Sequence, residues 1–264
     1  RAARHSAVET IDLRRAFEAV SGERLDWFFD QWVFLAGHPK ISVSHRVDSE
    51  SGDVFVTLRQ TQKVEGLTPS FILPVELEIA TSEGRRVEQV WLEKGETKLL
   101  LPVDGELLWL GVDPRLGLLA KIEQKQSPKA WLAQLAGSEF PGARFRALAA
   151  LGERKGTPTE AMREQISALA ENSAASLSIR RKAIEVVGGW RDEASSSFLV
   201  ELLRSGEGMG PRLRDDALTA LGKGPATGAV LAALDGAVRR DDNPYVRAAG
   251  LDALAKLLGD GVLP

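Results

Sequence analysis

The sequence contains no cysteine. Disulfides, thiolate metal sites and a cysteine nucleophile are excluded together, and the redox compartment is left open, since a chain without thiols suits either. No run of about 18 apolar residues occurs, so no segment is expected to span a membrane. There is no basic surplus: 34 Lys and Arg stand against 37 Asp and Glu, a formal charge of -3. That is the wrong sign for a general nucleic-acid binder, whose affinity comes from neutralising phosphates. Only three histidines are present, His5, His38 and His45, and none is followed by Glu. G-x-S-x-G, P-loop and Rossmann fingerprints are missing as well. No signal peptide is visible. The chain opens RAARHSAVET without Met, which points to a piece of a longer protein.

What is present suffices for about two domains in 264 residues, with an ordinary hydrophobic fraction of 44% and hence a sizeable core. Three textures follow one another. Residues 1–38 read as helical. Leu13, Phe17 and Val20 recur at helical spacing, with Thr10 as N-cap, Asp12 in the first turn and Ser21-Gly22 as the stop. Leu25, Phe28, Trp32 and Leu35 mark one face of a second helix that Gly37 and Pro39 end. On that face Phe28 and Trp32 are expected in the core, while Trp27 and Phe29 look elsewhere, toward whatever precedes this segment.

Residues 39–123 alternate at period two: Ile41, Val43, His45 and Val47; Val54, Val56 and Leu58; Phe71, Leu73, Val75, Leu77 and Ile79. Gly-containing turns such as SESGD and TSEGR separate the runs. Short strands at this spacing predict a β-sandwich, with Pro74 at an edge or bulge. The polar stretch EQKQSP reads as a linker, and Pro128 suits the first turn of the next helix.

Residues 127–264 return to helical periodicity and repeat internally. ARFRALAALG, IRRKAIEVVG, LRDDALTALG and VRAAGLDALA begin at 143, 179, 213 and 246. An Arg occupies one column (Arg144, Arg180, Arg214, Arg247). Apolar residues hold two more (Leu148, Ile184, Leu218, Leu251 and Leu151, Val187, Leu221, Leu254), and small residues a fourth (Ala147, Ala183, Ala217, Gly250). Another helical stretch precedes each segment, so the unit is a helix pair. A single pair cannot bury its apolar face alone and must stack on its neighbours. The pattern resembles HEAT repeats. The last unit, RDDNPYVRAAGLDALAKLLG, matches best, and an Asp–Arg ladder is expected there rather than earlier. The architecture expected is therefore α+β and multidomain: a short helical segment, a β-sandwich, then an α–α superhelix of about four helix pairs.

Candidate chemistry is sparse. His38 precedes Pro39 in a loop. His45 alternates with apolar neighbours and is expected half-buried and hydrogen-bonded, so neither reads as a metal ligand. The spaced glycines of GEGMGP (206–211) and GKGPATG (222–228) follow no strand and read as inter-helix loops rather than phosphate cradles. Asp215-Asp216 and Asp241-Asp242 read as acids at helix starts, favoured by the dipole. A stripe of Arg144, Arg146, Arg180, Arg181, Lys182, Arg212, Arg214, Arg239, Arg240 and Arg247 could meet a nucleic acid. Residues 127–264 nonetheless hold 18 Lys and Arg against 17 Asp and Glu, and aromatics for base stacking are few, so the Arg column is expected to bond repeat to repeat. No catalytic, cofactor-binding or metal-binding residue is assigned.

The segment VETIDLRRAFEAVSGERLDWFFDQWVFLAGHPKISV resembles the end of the catalytic domain in the aminopeptidase N family of zinc metallopeptidases. Thr10, Asp12, Leu13, Phe17, Ser21-Gly22, Leu25, Phe28-Phe29, Trp32, Gly37 and Pro39 carry the likeness, and WLGVDP (109–114) resembles that family's sandwich end. The resemblance implies residues 1–38 as the helical tail of an upstream catalytic domain, then a sandwich, then a helical domain over the active-site cleft. In such a parent, zinc would activate a water against the scissile carbonyl of a peptide, with a Glu as general base. The family's H-E-x-x-H, its distal Glu and its G-x-M-E-N motif are absent from this chain. Two His at i, i+4 are what turn both imidazoles toward one ion. The resemblance thus implies a non-catalytic part without zinc of its own, or a scaffold built on the same architecture.

Overall fold

The computed structural model describes residues 7–206 and 208–259. The fold is α+β and multidomain, with two compact units, Arg1–Gln126 and Ser127–Pro264.

The first unit opens with α1 (Thr10–Ser21). Its N-cap is Glu9 rather than Thr10. The Glu9 carboxylate accepts from the backbone N–H of Asp12, and Asp12 Oδ2 accepts from the Glu9 N–H at 3.1 Å. That reciprocal pair satisfies two orphan donors, which Thr10 could not do with Leu13 as its third neighbour. Gly22 closes the helix at φ 75, where a side chain would be strained. A short α2 (Asp26–Phe29) then widens into a π-helical turn, Asp30–Phe34. The wider turn advances the buried face by about a residue. Phe29 and Gln31 are buried, and Phe28 and Leu35 are exposed, the reverse of the expectation for the two phenylalanines. Trp32 stays against the core, its ring 5.2 Å from that of Phe71. Gln31 exchanges two hydrogen bonds with the backbone of Ile72, at 2.8 and 2.9 Å, and so pins the turn to the sheet that follows.

Seven strands follow: β1 (Lys40–Val47), β2 (Val54–Gln60), β3 (Leu73–Thr81), β4 (Gly84–Leu92), β5 (Glu96–Leu101), β6 (Leu107–Val112) and β7 (Lys121–Gln124). They form a four-stranded sheet in the order β5-β2-β1-β7 and a three-stranded sheet β4-β3-β6. Alternate residues of both sheets meet in one apolar cluster, including Ile41, Val56 and Leu58 from the first and Leu73, Leu77 and Leu110 from the second. Burial of each such side chain contributes about 1.5–3 kcal/mol. Pro74 pairs with Trp91 of β4, but β6 begins to pair only at Leu77. β3 is an edge at Pro74 and interior from Leu77 on, so no ladder donor is lost. β7 pairs in parallel with β1 over Lys121–Gln124 and takes up part of the polar stretch that reads as a linker. Pairing there rests on the backbone, so the alternation rule had little to register.

The second unit is helical: α3 (Pro128–Gly137), α4 (Pro141–Gly152), α5 (Glu160–Glu171), α6 (Leu177–Gly189), α7 (Glu193–Ser205), α8 (Pro211–Leu221), α9 (Gly228–Arg240) and α10 (Pro244–Leu258). Ser127, Thr159, Ser176, Asp192, Thr227 and Asn243 cap helix N-termini through their side chains. Pro128, Pro141, Pro211 and Pro244 occupy first positions, where no N–H is needed. The second helix of each pair packs on the next: α4 on α6, α6 on α8, α8 on α10. The glycine that ends each repeat segment marks the point of closest approach. A Cβ on Gly152 would lie 2.6 Å from Val186 Cγ2, one on Gly188 2.4 Å from Ala220 Cβ, and one on Gly222 2.8 Å from Ala253 Cα. The fourth segment has Ala255 in that column. Likewise Leu148, Ile184 and Leu218 are fully buried, whereas Leu251 of the last repeat is 45% exposed.

Candidate interaction surfaces

Metal chemistry can be placed first. His5 lies outside the described residues. His38 is exposed in the loop before β1. His45 is half-buried on β1; its Nδ1 is buried without a hydrogen-bond partner, and desolvation lowers its pKa from the ordinary value. The hydrogen bond expected for it is therefore missing at that nitrogen. Among the described residues no group of three or more His, Asp or Glu side chains could hold a metal ion. No two histidines of the chain are four residues apart, so the chain offers no H-E-x-x-H-type site for the zinc that the family resemblance implies. No helix among the described residues is long and apolar enough to cross a membrane.

The Arg column is used internally. Arg144 Nε donates to Leu135 O at 3.1 Å, and Arg180 Nε to Ala170 O at 2.9 Å, so each guanidinium covers the last carbonyls of the helix before its own. Arg247 Nη1 does the same at Asp241 O, 2.9 Å. Arg214 instead forks onto Asp241, with Nε–Oδ2 2.7 Å and Nη2–Oδ1 2.8 Å, and reaches Asp242 at 2.9 Å. The pairing holds Arg214 above its ordinary pKa, chiefly through its hydrogen bond to Asp241. Within the Arg column the Asp–Arg step thus occurs at the last repeat, where the sequence carries the Asp; outside the column an earlier step, not expected from the sequence, joins Arg163 of α5 to Asp192 at the start of α7. Asp215-Asp216 lie inside α8 rather than at its start. Asp216 takes Arg181 of α6 in two bonds of 2.6 and 3.0 Å, so its role is cross-helix pairing, not the dipole. Lys182 pairs with Glu185, and Arg239 with Asp235. Most members of the candidate nucleic-acid stripe are therefore bonded within the chain. GEGMGP joins α7 to α8 and GKGPATG joins α8 to α9, both as inter-helix loops.

The apolar surface left open lies at the start of the first unit. α1 has no buried residue; Leu13 and Phe17 are each more than half exposed and Val20 is 91% exposed. Phe28, Val33, Phe34 and Leu35 add to it. Beside them, Trp27, Trp32, Pro74 and Leu119 line an apolar groove of about 450 Å³. α1 is tied down by its polar side: Glu18 Oε1 accepts from the Leu25 N–H at 2.9 Å, and Arg14 meets Asp26 at 2.6 Å. Its apolar side faces outward. The sequence pattern alone could have hinted at this, since three apolar residues at i, i+4, i+7 occur with no second stripe in the segment to receive them.

Residues 164–255 match the family described as HEAT repeats. A solved structure, Legionella pneumophila aminopeptidase A in complex with aspartic acid, superposes on 95% of this chain with a TM-score of 0.71 and 12% identity. The chain spans 35% of that neighbour's length. At this identity the likeness is one of fold. No curated protein matches the chain by sequence.

Proposed function

We propose that the chain is the non-catalytic C-terminal part of a zinc-dependent aminopeptidase. In this reading residues 1–38 are the helical tail of an upstream catalytic domain, 39–123 a β-sandwich spacer, and 127–264 a HEAT-like solenoid that limits access of peptides to the parent's active site. The observation that carries it is the uncovered apolar face of α1, together with the exposed Phe28 and Phe34. A helix with an apolar stripe and no buried residue is stable where a partner surface covers it. The fold shared with an aminopeptidase over nearly the whole chain supports a catalytic domain as that partner. Zinc, peptide and the catalytic Glu then belong to the parent's upstream residues.

The test has two parts. The purified, chelator-treated chain should take up no stoichiometric zinc and release no product from aminoacyl substrates; either activity would overturn the reading. The coding sequence upstream of Arg1 should carry G-x-M-E-N, then H-E-x-x-H and a distal Glu. The same architecture without those residues would favour a scaffold or protein-interaction module, a reading to which a groove of about 810 Å³ lined by Leu177, Arg180, Arg212 and Tyr245 lends support.

A further inference from the structure

The internal repeat supplies its own control. Asp241, which takes Arg214 in a forked pair, stands six residues before Arg247. The same column one repeat earlier, six residues before Arg214, holds Gly208. The arginine that reaches this position is Arg180, just as Arg214 reaches Asp241. Arg180 Nη1 donates to Gly208 O at 2.8 Å, and Nη2 meets Met209 Sδ at 3.8 Å. A guanidinium has five N–H donors; with the bond to Ala170, three are engaged. Arg180 is the Lys or Arg that the solenoid buries, at 5% exposure, and among the described residues no carboxylate pairs with it. A buried cation without a counter-charge is costly, and a guanidinium fork is matched best by a carboxylate.

Space lies beside it. Arg180 and Gly208 border a groove of about 810 Å³ that runs from Leu177 at the start of α6, past Arg212 on α8, to Tyr245 on α10. Tyr245 is 80% exposed and Arg212 is exposed without an ion pair among the described residues. Asp215 also borders the groove, so the wall keeps a positive surplus rather than a strongly basic one. Three successive loops along one edge, with apolar and aromatic walls, suit an extended chain better than a compact anion.

We propose that this groove binds an extended peptide segment of a partner protein, whose Asp side chain supplies to Arg180 the carboxylate that Asp241 supplies to Arg214. Tyr245 packs on the peptide beyond the acid, and Arg212 adds a second, solvent-screened attraction. The inference does not depend on the metallopeptidase reading, because it uses only the solenoid's own repeats.

The test titrates the full chain with acetyl-Ala-Ala-Asp-Ala-Ala-amide and with its Asn counterpart at low ionic strength, following backbone amide shifts by NMR. The Asp peptide should bind roughly tenfold tighter than the Asn peptide, as a charge-assisted fork requires. Gly208→Asp places the missing acid in the chain itself and should weaken binding of the Asp peptide about tenfold. Asp tolerates the left-handed backbone of Gly208 (φ 66) better than most side chains. Should that variant fail to fold, Arg212→Ala and Tyr245→Ala, at exposed positions, should each weaken binding about threefold. Equal binding of the two peptides would overturn the proposal. So would tighter binding by Glu207→Gln, which would assign the counter-charge to Glu207, a residue outside the described ones. Binding of acetyl-pentaalanine with a free C-terminus, but not of the amidated Asp peptide, would also overturn it, in favour of α-carboxylate recognition.

Discussion

The two-sheet unit and the helical repeats bury apolar surface by opposite means. In the sheets the inward positions are large: Phe71, Leu73, Val75, Leu77 and Ile79 follow one another along a single strand and its approach, all at 2% exposure or less. The backbones stay apart and side chains fill the space between. In the repeats the decisive positions are small. Ala147, Ala183 and Ala217 are fully buried, and Gly152, Gly188 and Gly222 let one helix lie almost against the next. Cohesion in the first case is lost by removing atoms, and in the second by adding them.

The largest expected effect breaks the sheet side of that comparison. Leu77→Ala should destabilise the chain by about 2–5 kcal/mol in chemical denaturation, because the surrounding strands cannot collapse onto the cavity. A loss below about 1 kcal/mol would mean the two sheets share a looser core than Leu77's complete burial implies. On the helical side, Gly222→Val should cost about 1–3 kcal/mol, since its Cβ would meet backbone atoms of Ala253 that cannot rotate away. A sharper version uses neighbours in α6. Gly188→Ala should destabilise, with Ala220 Cβ at 2.4 Å, whereas Gly189→Ala, with nothing within 4 Å, should stabilise by up to about 1 kcal/mol through helix propensity. If the two changes had the same sign, close approach would not be what the glycine column provides.

The same contrast explains what could be read in the sequence. Period-two runs announced β1, β2 and β3 because one face is buried and the other is not. The repeats were legible because stacking imposes the same columns every 33 to 36 residues. The face of the second helix was not: Phe28 and Phe29 are adjacent apolar residues that either face could take, and from Asp30 to Phe34 a π-helical turn breaks the 3.6-residue period without a signal in composition. β7 was missed because four residues of parallel pairing carry no alternation. The Arg column was visible as a column. Its uneven chemistry emerged only when the acid at Asp241 and the glycine at Gly208 were seen beside their arginines.

Neither kind of interior takes in the exposed side of α1. Phe17→Ser together with Val20→Ser should leave thermal unfolding within about 0.5 kcal/mol of the parent, as expected for exposed positions, while reducing self-association measured by sedimentation. A large loss of stability instead would place those side chains in the chain's own core and remove the observation on which the proposed covering domain rests.

Electrostatics separates the two units more gently. Asp192 caps α7 and is bound by Arg163 of α5, and the hydrogen bond from Arg163 is the main cause that lowers its pKa to about 2. A depressed carboxylate contributes stability that is fully present above the unfolded value near 4 and is lost as pH falls through about 2. The pair is partly exposed, so after solvent screening the contribution is about 1 kcal/mol or less. Denaturation midpoints of the parent should fall more steeply than those of Asp192→Asn between pH 4 and pH 2; parallel curves would show that the bridge is screened out.

The smallest effect belongs to the sheet unit and sits below pH 6.5. Burial lowers the pKa of His45, and its Nδ1 finds no partner on β1. Between the lowered folded value and the ordinary value near 6.5, the unfolded chain binds more protons than the folded one, so stability rises with pH across that window and is lost as pH falls through it. His45→Phe removes the titrating group and keeps an apolar body opposite Val56 of β2. The variant should therefore lose the pH dependence of stability just below pH 6.5 while the acid transition that reports Asp192 stays in place. If both slopes vanished together, the two units would share one titration-linked transition rather than respond separately to their own titrating groups.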